Sequence, residues 1–147
     1  MNEVLFASSG STDYETPPEL FQKYDAIYHF SLDVCANRAN TKCRRFYSPK
    51  QDGLTQPWSG ACWMNPPYGR DIEAWIKKAY ESAKAGATVV ALLPARTDTA
   101  WFHEFVYNKA MVEFLRGRVR FILGDKSGPA TFPSMIVIWT PRWSERS

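Results

Sequence analysis

The chain has 147 residues, 45% of them hydrophobic and 22% charged, which is typical of one globular domain. The formal net charge of +3 permits an anionic partner without requiring one. No apolar run approaches the ~20 residues that a membrane-spanning helix needs, so we expect no membrane partner.

Three cysteines are present, an odd number, and the chain begins without a recognisable signal peptide. This predicts reduced thiols and a cytoplasmic protein. His29, Cys35 and Cys43 do not follow the spacing of a zinc site, and the chain has no Cys-x-x-Cys pair. We therefore expect no bound metal.

A flexible arm and then a helix are predicted at the start of the chain. Residues 1–12 are mostly small and polar. Thr16 is a candidate N-cap, and Glu19 follows three positions later as in a capping box. These residues predict a helix over 18–25.

Three strands are predicted before the middle of the chain. Residues 29–36 alternate and then become apolar, which predicts a strand with Asp33 near its end. Residues 46–47 predict a second, very short strand. Residues 48–57 predict a loop, and the apolar run 61–64 predicts a buried strand.

Two amphipathic helices flank a buried strand in the next part of the chain. Residues 71–85 place their apolar side chains on one helical face. The unbroken apolar run 88–93 predicts a strand that is buried on both faces. Residues 98–108 predict the second helix, with Asp98 as its N-cap.

The last part of the chain predicts strands over 111–122 and 134–139, and the turn at 124–129 indicates that they pair antiparallel. Residues 141–147 are expected to be a frayed tail. Strands that alternate with helices predict the α/β class, a three-layer sandwich around a mainly parallel sheet with an antiparallel C-terminal hairpin. One domain is expected over 1–147, with no separate target-recognition domain.

Polar residues lie at the carboxyl ends of three of the predicted strands, at Asp33, Asn65 and Arg96. Ligands of α/β sheets bind beyond the carboxyl ends of strands, so this edge is the predicted site. Asn65 is followed by Pro66 and Pro67, which rule out helix and ladder, and then by an aromatic ring at Tyr68. An isolated Asn-Pro would indicate a turn. An amide beside an aromatic face suits a flat heterocycle that carries an amine.

Four segments together resemble the small phage-type DNA N6-adenine methyltransferases, the Dam family of phages and prophages. The similarity covers about residues 13–141 and extends through 93–98 and 116–119 to the last strand. The four segments are Tyr14-Glu15-Thr16-Pro17-Pro18-Glu19-Leu20, Leu32-Asp33-Val34-Cys35-Ala36, Asp52-Gly53-Leu54 with Trp58, and Asn65-Pro66-Pro67-Tyr68.

The resemblance implies a reduced Rossmann-like methyltransferase fold and S-adenosylmethionine as cofactor. The segment with Tyr14, Thr16 and Pro17 would contact the methionine end of the cofactor. Asp33 would hold its amino group. The remaining implied cofactor residues are Cys35 and Ala36 after the first strand, and Asp52 or Leu54 at the adenine.

The resemblance also implies that Asn65 and the Pro66 carbonyl accept hydrogen bonds from the target amine, with Pro67 completing the rigid loop. Tyr68 would stack on an adenine that is flipped out of the DNA. One departure is the absence of a glycine-rich turn after the first strand, where Ala36 stands in a position of close approach.

DNA is the expected partner, met by a monomer or a homodimer in a bacterial or phage-infected cytoplasm. Strand alternation would put three arginines on one face, and that face could equally be solvated. The candidate phosphate contacts are Arg96, Arg116, Arg118, Arg120 and Lys126. The alternatives are another amine or amide acceptor, such as an RNA base or a protein glutamine, and a non-catalytic module that binds cofactor or DNA.

Overall fold

The computed structural model of the chain describes residues 14–146, and for 144–146 it describes the backbone alone. The predicted arm, residues 1–12, lies outside the described residues. The helical elements are α1 (Pro18–Tyr28), a 3-10 turn (Gly53–Thr55), α2 (Ile72–Lys84), a π-helical turn (Phe102–Val106) and α3 (Pro141–Arg146). The strands are β1 (Leu32–Asp33), β2 (Arg45–Phe46), β3 (Ala61–Met64), β4 (Thr88–Pro94), β5 (Met111–Phe114), β6 (Arg120–Leu123), β7 (Lys126–Pro129) and β8 (Ser134–Trp139).

Six strands form one sheet in the order β2-β1-β3-β4-β8-β5, and β6 and β7 form a separate antiparallel hairpin. The pairs β2–β1, β1–β3 and β3–β4 are parallel, whereas β8 runs antiparallel to both β4 and β5. The predicted class, an α/β fold with a mainly parallel sheet and an antiparallel hairpin near its C-terminus, is confirmed.

Two apolar layers cover the sheet, because successive side chains of a strand point to opposite faces. Cys62 and Met64 pack in a layer with α2 and the π-helical turn. Trp63 lies on the other face, with α1 and the β6–β7 hairpin. β4 is buried on both faces, which confirms the interpretation of its unbroken apolar run, and β8 is buried on both faces as well.

The predicted capping role of Thr16 is wrong. Pro17 occupies the N-cap position of α1, and no side chain caps the helix. Pro18 takes the first helical position, where a missing N–H has no cost. Thr16 is buried instead, and its hydroxyl bonds to Asn65.

The predicted strand over 29–36 is much shorter, because α1 continues three residues beyond its predicted end. His29 terminates the helix in the left-handed region, with φ of 53°, and its N–H donates to the Asp25 carbonyl at 2.8 Å. The Asp25 carboxylate then accepts from the N–H of Phe30 at 2.9 Å. Because of these bonds, the extended backbone of β1 begins only at Leu32.

The second predicted helix, over 98–108, is largely replaced by a π-helical turn at Phe102–Val106. The N–H of Tyr107 donates to the Phe102 carbonyl at 2.8 Å, five residues back. Asp98 is not the cap; the Thr99 hydroxyl accepts from the N–H of Phe102 at 3.3 Å. Wider turns of this type often occur at functional sites.

The prediction of a single strand over 111–122 is also wrong. Gly117, with φ of 77°, lies in the loop that divides it into β5 and β6. β5 pairs antiparallel with β8 as predicted, but the turn at Gly124 and Asp125 joins β6 to β7 instead. The predicted frayed tail is helical through Arg146.

Candidate active site

The order of the strands reverses between β1 and β3. β1 pairs in parallel with β2 on one side and with β3 on the other, and Asp33 lies beside Trp63. Such a reversal leaves a crevice beyond the carboxyl ends of the two strands. Asp33 ends β1 and Asn65 directly follows β3, so both predicted site residues flank this crevice.

The Asn65 amide is oriented by bonds to the N-terminal segment. Its Nδ2 donates to the Tyr14 carbonyl and to the Thr16 hydroxyl, each at 3.1 Å. A carbonyl can only accept, so these bonds fix which end of the amide carries the hydrogens. The Oδ1 lies 3.2 Å from the Tyr68 hydroxyl and retains capacity to accept from a ligand.

The segment that contacts Asn65 is itself tied to the β6–β7 hairpin. Glu15 forms an isolated antiparallel bridge with Ile122, with backbone bonds of 2.6 and 3.0 Å. Its carboxylate forms a 2.5 Å ion pair with Lys42, which lies in the connection that follows β1. Residues 14–16 therefore bridge the two sides of the crevice.

Asp33 is a buried carboxyl, with 3% of its surface exposed. Burial raises its pKa to about 7, although the N–H groups of Lys42 and Cys35 donate to it at 3.0 and 3.3 Å and oppose the rise. A carboxyl held in this way titrates near neutral pH. A cationic ligand beside it would favour its ionised form.

The Asp52-Gly53-Leu54 segment packs directly on the end of β1. A Cβ at Gly53 would lie 2.2 Å from the Val34 carbonyl oxygen, so only glycine fits. The Asp52 carboxylate accepts from the N–H of Leu54 at 3.1 Å. Burial, followed by the charges of Asp33 and Asp52, raises the pKa of the Cys35 thiol to about 12. Gly53 therefore provides a close backbone contact at the end of β1, whereas the turn after β1 contains no glycine. In that turn Ala36 is buried.

Tyr68 is held at its hydroxyl and at its ring. The hydroxyl donates to the Leu92 carbonyl at 2.9 Å, and burial raises its pKa well above the ordinary value. The ring makes edge contacts with Phe121 and Phe132, with centroids 6.2 and 5.6 Å apart. The side chain is therefore a neutral phenol in a fixed orientation.

Two cavities meet this arrangement. One, of about 320 Å³, is lined by Tyr68, and its other lining includes Arg96, Thr99, Trp101 and Phe132. That volume is at the lower end of the range for small-ligand sites, about 300–1,000 Å³. The other cavity has a volume of about 10 Å³ and lies between Asp33 and Asn65. Its lining residues are Tyr14, Glu15, Thr16, Asp33, Cys35, Asn40, Lys42, Trp63 and Asn65.

The predicted phosphate contacts fall in two places. Arg96 is exposed after β4, with its guanidinium carbon 5.9 Å from the Phe132 ring centroid. Arg116 and Arg118 are exposed in the loop before β6, so they do not alternate along a strand as predicted. Arg120 on β6 and Lys126 on β7 are exposed in the hairpin.

The described part of the chain offers no metal site and no membrane-spanning helix. Among residues 14–143, whose side chains the structure describes, no group of three or more His, Cys, Asp or Glu side chains could hold a metal ion. In the same range, none of the helices combines the length and apolar character that crossing a bilayer requires.

A sequence model of the family described as "DNA N-6-adenine-methyltransferase (Dam)" matches residues 8–147. The chain belongs to this family. The DNA N-6-adenine-methyltransferase of Haemophilus phage HP1 is 36% identical over 136 residues, which cover 88% of this chain and 79% of that protein. The protein of the same description from Escherichia phage T1 is 32% identical over 130 residues, 76% of this chain. This chain spans about half of the phage T1 protein, 54% of its length.

Three residues of this Dam family member border the site but were not predicted from the sequence. Phe132 packs on Tyr68, Gly53 allows close contact with β1, and Lys42 joins Glu15 to the loop at Asp33. Phe132 resembles Tyr68 in being an aromatic residue next to a proline at a strand end, a signal that was available. No sequence signal marked Lys42, because its partner Glu15 is 27 residues away in the chain.

Proposed function

We propose that this chain transfers a methyl group from S-adenosylmethionine to the N6 amino group of an adenine in DNA. The orientation of the Asn65 amide carries the proposal. Both of its hydrogens bond to Tyr14 and Thr16, so its oxygen is the group that remains for a ligand beside Tyr68. The family of the chain supports the reaction type.

The amine of adenine is a weak nucleophile because its lone pair is delocalised into the ring. Asn65 Oδ1 and the Pro66 carbonyl would each accept one N–H of this amine and so favour a tetrahedral nitrogen. Acceptors that are fixed before the reaction need no reorganisation during it. No strong general base is needed, since the methylated nitrogen loses its proton readily to water.

Tyr68 would bind the plane of the adenine. Flipping a base out of a duplex costs a few kcal/mol. Stacking on an aromatic ring contributes about 1–3 kcal/mol of that. Arg96, which lines the same cavity, would contact the DNA backbone next to the flipped nucleotide.

The residues at β1 fit the cofactor chemically. Asp33 would pair with its ammonium group, Thr16 and Tyr14 would lie at its methionine end, and Asp52 or Leu54 would meet its adenine. The cofactor supplies an electrophilic methyl group. The cavity beside Asp33 has room for about one water molecule, and it shares Glu15 and Asn40 with a neighbouring cavity of about 490 Å³, where the rest of the cofactor would lie.

The test is incubation with duplex DNA and methyl-labelled S-adenosylmethionine, followed by nucleoside analysis. We expect label in N6-methyladenine. Label in methylcytosine, RNA or protein would replace the proposed acceptor with an alternative one. Cofactor binding without any transfer would indicate a non-catalytic module.

A further inference from the structure

A strongly basic segment begins beside the site, at the loop that contains Lys42, and continues to the outer edge of the sheet. Residues 38–50 contain five cations and no acidic residue, whereas the whole chain carries 18 cations against 15 acidic residues. The segment connects β1 to β2 and continues beyond β2. The five are Arg38, Lys42, Arg44, Arg45 and Lys50.

Three of these cations surround one groove along the outer edge of the sheet. The groove has a volume of about 580 Å³ and is lined by Arg38, Arg44, Arg45, Tyr47 and other residues. Arg38 lies in the turn beyond the carboxyl end of β1, whereas Arg44 and Arg45 lie at the start of β2. All three arginines are exposed.

The guanidinium groups of the groove have no ion-pair partner in the described part of the chain, although the Arg45 charge opposes the rise in the pKa of the Cys62 thiol that burial causes. Within residues 14–143, whose side chains the structure describes, the only ion pair joins Lys42 to Glu15, and no side-chain hydrogen bond involves Arg38, Arg44 or Arg45. Charged residues on an edge strand can prevent pairing with another sheet, which would explain Arg45 alone. Arg38 is not on a strand, so edge protection does not explain the cluster.

The groove lies on the opposite side of Asn65 from the arginines considered above. In the sheet, β2 is two strands from β3 in one direction, and β4 and β5, which precede Arg96 and Arg116, lie in the other. Six strands at a spacing of about 4.8 Å extend over about 24 Å. A duplex that rises 3.4 Å per base pair would cross that distance in about seven base pairs.

We propose that the groove of Arg38, Arg44 and Arg45 binds phosphate groups of the DNA duplex, so that DNA is held on both sides of the active site. The proposal rests on the proposed function. A guanidinium fork matches phosphate geometry and stays charged at all relevant pH values. These contacts would contribute affinity and position but no sequence information.

The test is the salt dependence of duplex binding, measured by fluorescence anisotropy from 50 to 300 mM NaCl. For the triple variant R38Q/R44Q/R45Q we expect the slope of log affinity against log salt to become shallower by about 2–3. We expect affinity at 100 mM NaCl to fall about tenfold or more, and the KM for DNA to rise while kcat at saturating DNA is retained.

Two variants serve as controls. K23Q/K77Q/K84Q removes the same charge from exposed positions elsewhere and should leave the slope within about 0.5 of wild type. R38K/R44K/R45K keeps the charge and should also keep the slope. Calorimetry with the cofactor and a thermal melt of each variant verify that the fold is intact.

An unchanged slope in a folded R38Q/R44Q/R45Q variant, while wild type still methylates DNA, would overturn the proposal that the groove binds DNA phosphates. The proposed function would still stand. An equal loss in the K23Q/K77Q/K84Q variant would also overturn it, because net charge alone would then explain the effect. Wild type that prefers an RNA duplex would assign the groove to RNA. Failure of wild type to methylate or bind DNA would remove both proposals.

Discussion

The ends of β3 and β1 form the two halves of the crevice, and they differ in how firmly their polar groups are set. At β3, Asn65 and Tyr68 are held by the Tyr14 carbonyl, the Thr16 hydroxyl and the Leu92 carbonyl, and neither side chain is charged. At β1, a buried carboxyl has a pKa of about 7 and borders a cavity of about 10 Å³.

The difference separates two tasks. Acceptors that act on a neutral amine work best when they are fixed in advance, because reorganisation at the moment of reaction costs free energy. A carboxyl that receives a cationic ligand can instead become fully charged as the ligand arrives. The β3 end is therefore expected to control turnover, and the β1 end affinity and pH dependence.

The largest expected effect is that of Asn65→Ala. Removing a preorganised polar group of this kind typically lowers kcat by about 10²–10³-fold. Cofactor affinity, measured by calorimetry, should change much less. Gln22→Ala, which removes an exposed amide on α1, is the control and should leave kcat unaltered. A kcat within about threefold of wild type would contradict the role of Asn65.

Asp33→Asn tests the other end. We expect cofactor affinity to fall about 10–100-fold with kcat at saturation less affected, because a hydrogen bond to a charged group contributes about 1.5–3 kcal/mol. In wild type, the free carboxyl is protonated below its pKa of about 7 and ionised above it.

Binding of the ammonium group would favour the ionised form, so affinity should rise with pH from 5.5 to 7 and protons should be released. Calorimetry in two buffers of different ionisation enthalpy measures that release. Asp33→Asn should abolish the release below pH 7. If wild type binds the cofactor with no proton release and no pH dependence, Asp33 is not the ligand of the ammonium group.

Gly53→Ala tests whether the β1 end depends on close backbone contact. Its Cβ would lie 2.2 Å from the Val34 oxygen, so we expect a loss of about 1–3 kcal/mol in unfolding free energy. Gly117→Ala is the matched control, since φ is 77° there but no atom lies within 4 Å. It should cost only about 1 kcal/mol. Denaturant unfolding measures both, and an unchanged unfolding free energy in Gly53→Ala would show that packing on Val34 is unimportant.

Tyr68→Phe should have the smallest effect. The ring contacts with Phe121 and Phe132 remain, whereas the hydrogen bond to the Leu92 carbonyl is lost. We expect a loss of about 1 kcal/mol in stability and a kcat within about tenfold of wild type. Tyr68→Ala, which removes the stacking face, should lower activity further, and equal kcat values for the two variants would argue against stacking.

Sequence periodicity predicted the elements whose burial follows from their own residues. Four elements lie within a residue or two of their predicted bounds: α2, β3, β4 and β8. The reason is that an amphipathic pattern or an apolar run in the sequence indicates which side chains must be buried. β1 was overestimated, because the end of α1 depends on hydrogen bonds to Asp25. The strand over 111–122 was divided because Gly117 and the pairing with β8 outweigh strand propensity.

By itself, the sequence determined the α/β class, the rigid Asn65–Tyr68 loop and its position after a buried strand, since proline geometry and apolar runs act locally. Only the tertiary structure placed the Thr16 hydroxyl on Asn65, Phe132 on Tyr68, Gly53 on β1 and three arginines around one groove. Most of these contacts join residues far apart in the chain, and the strand order that brings them together is set by packing of the whole sheet.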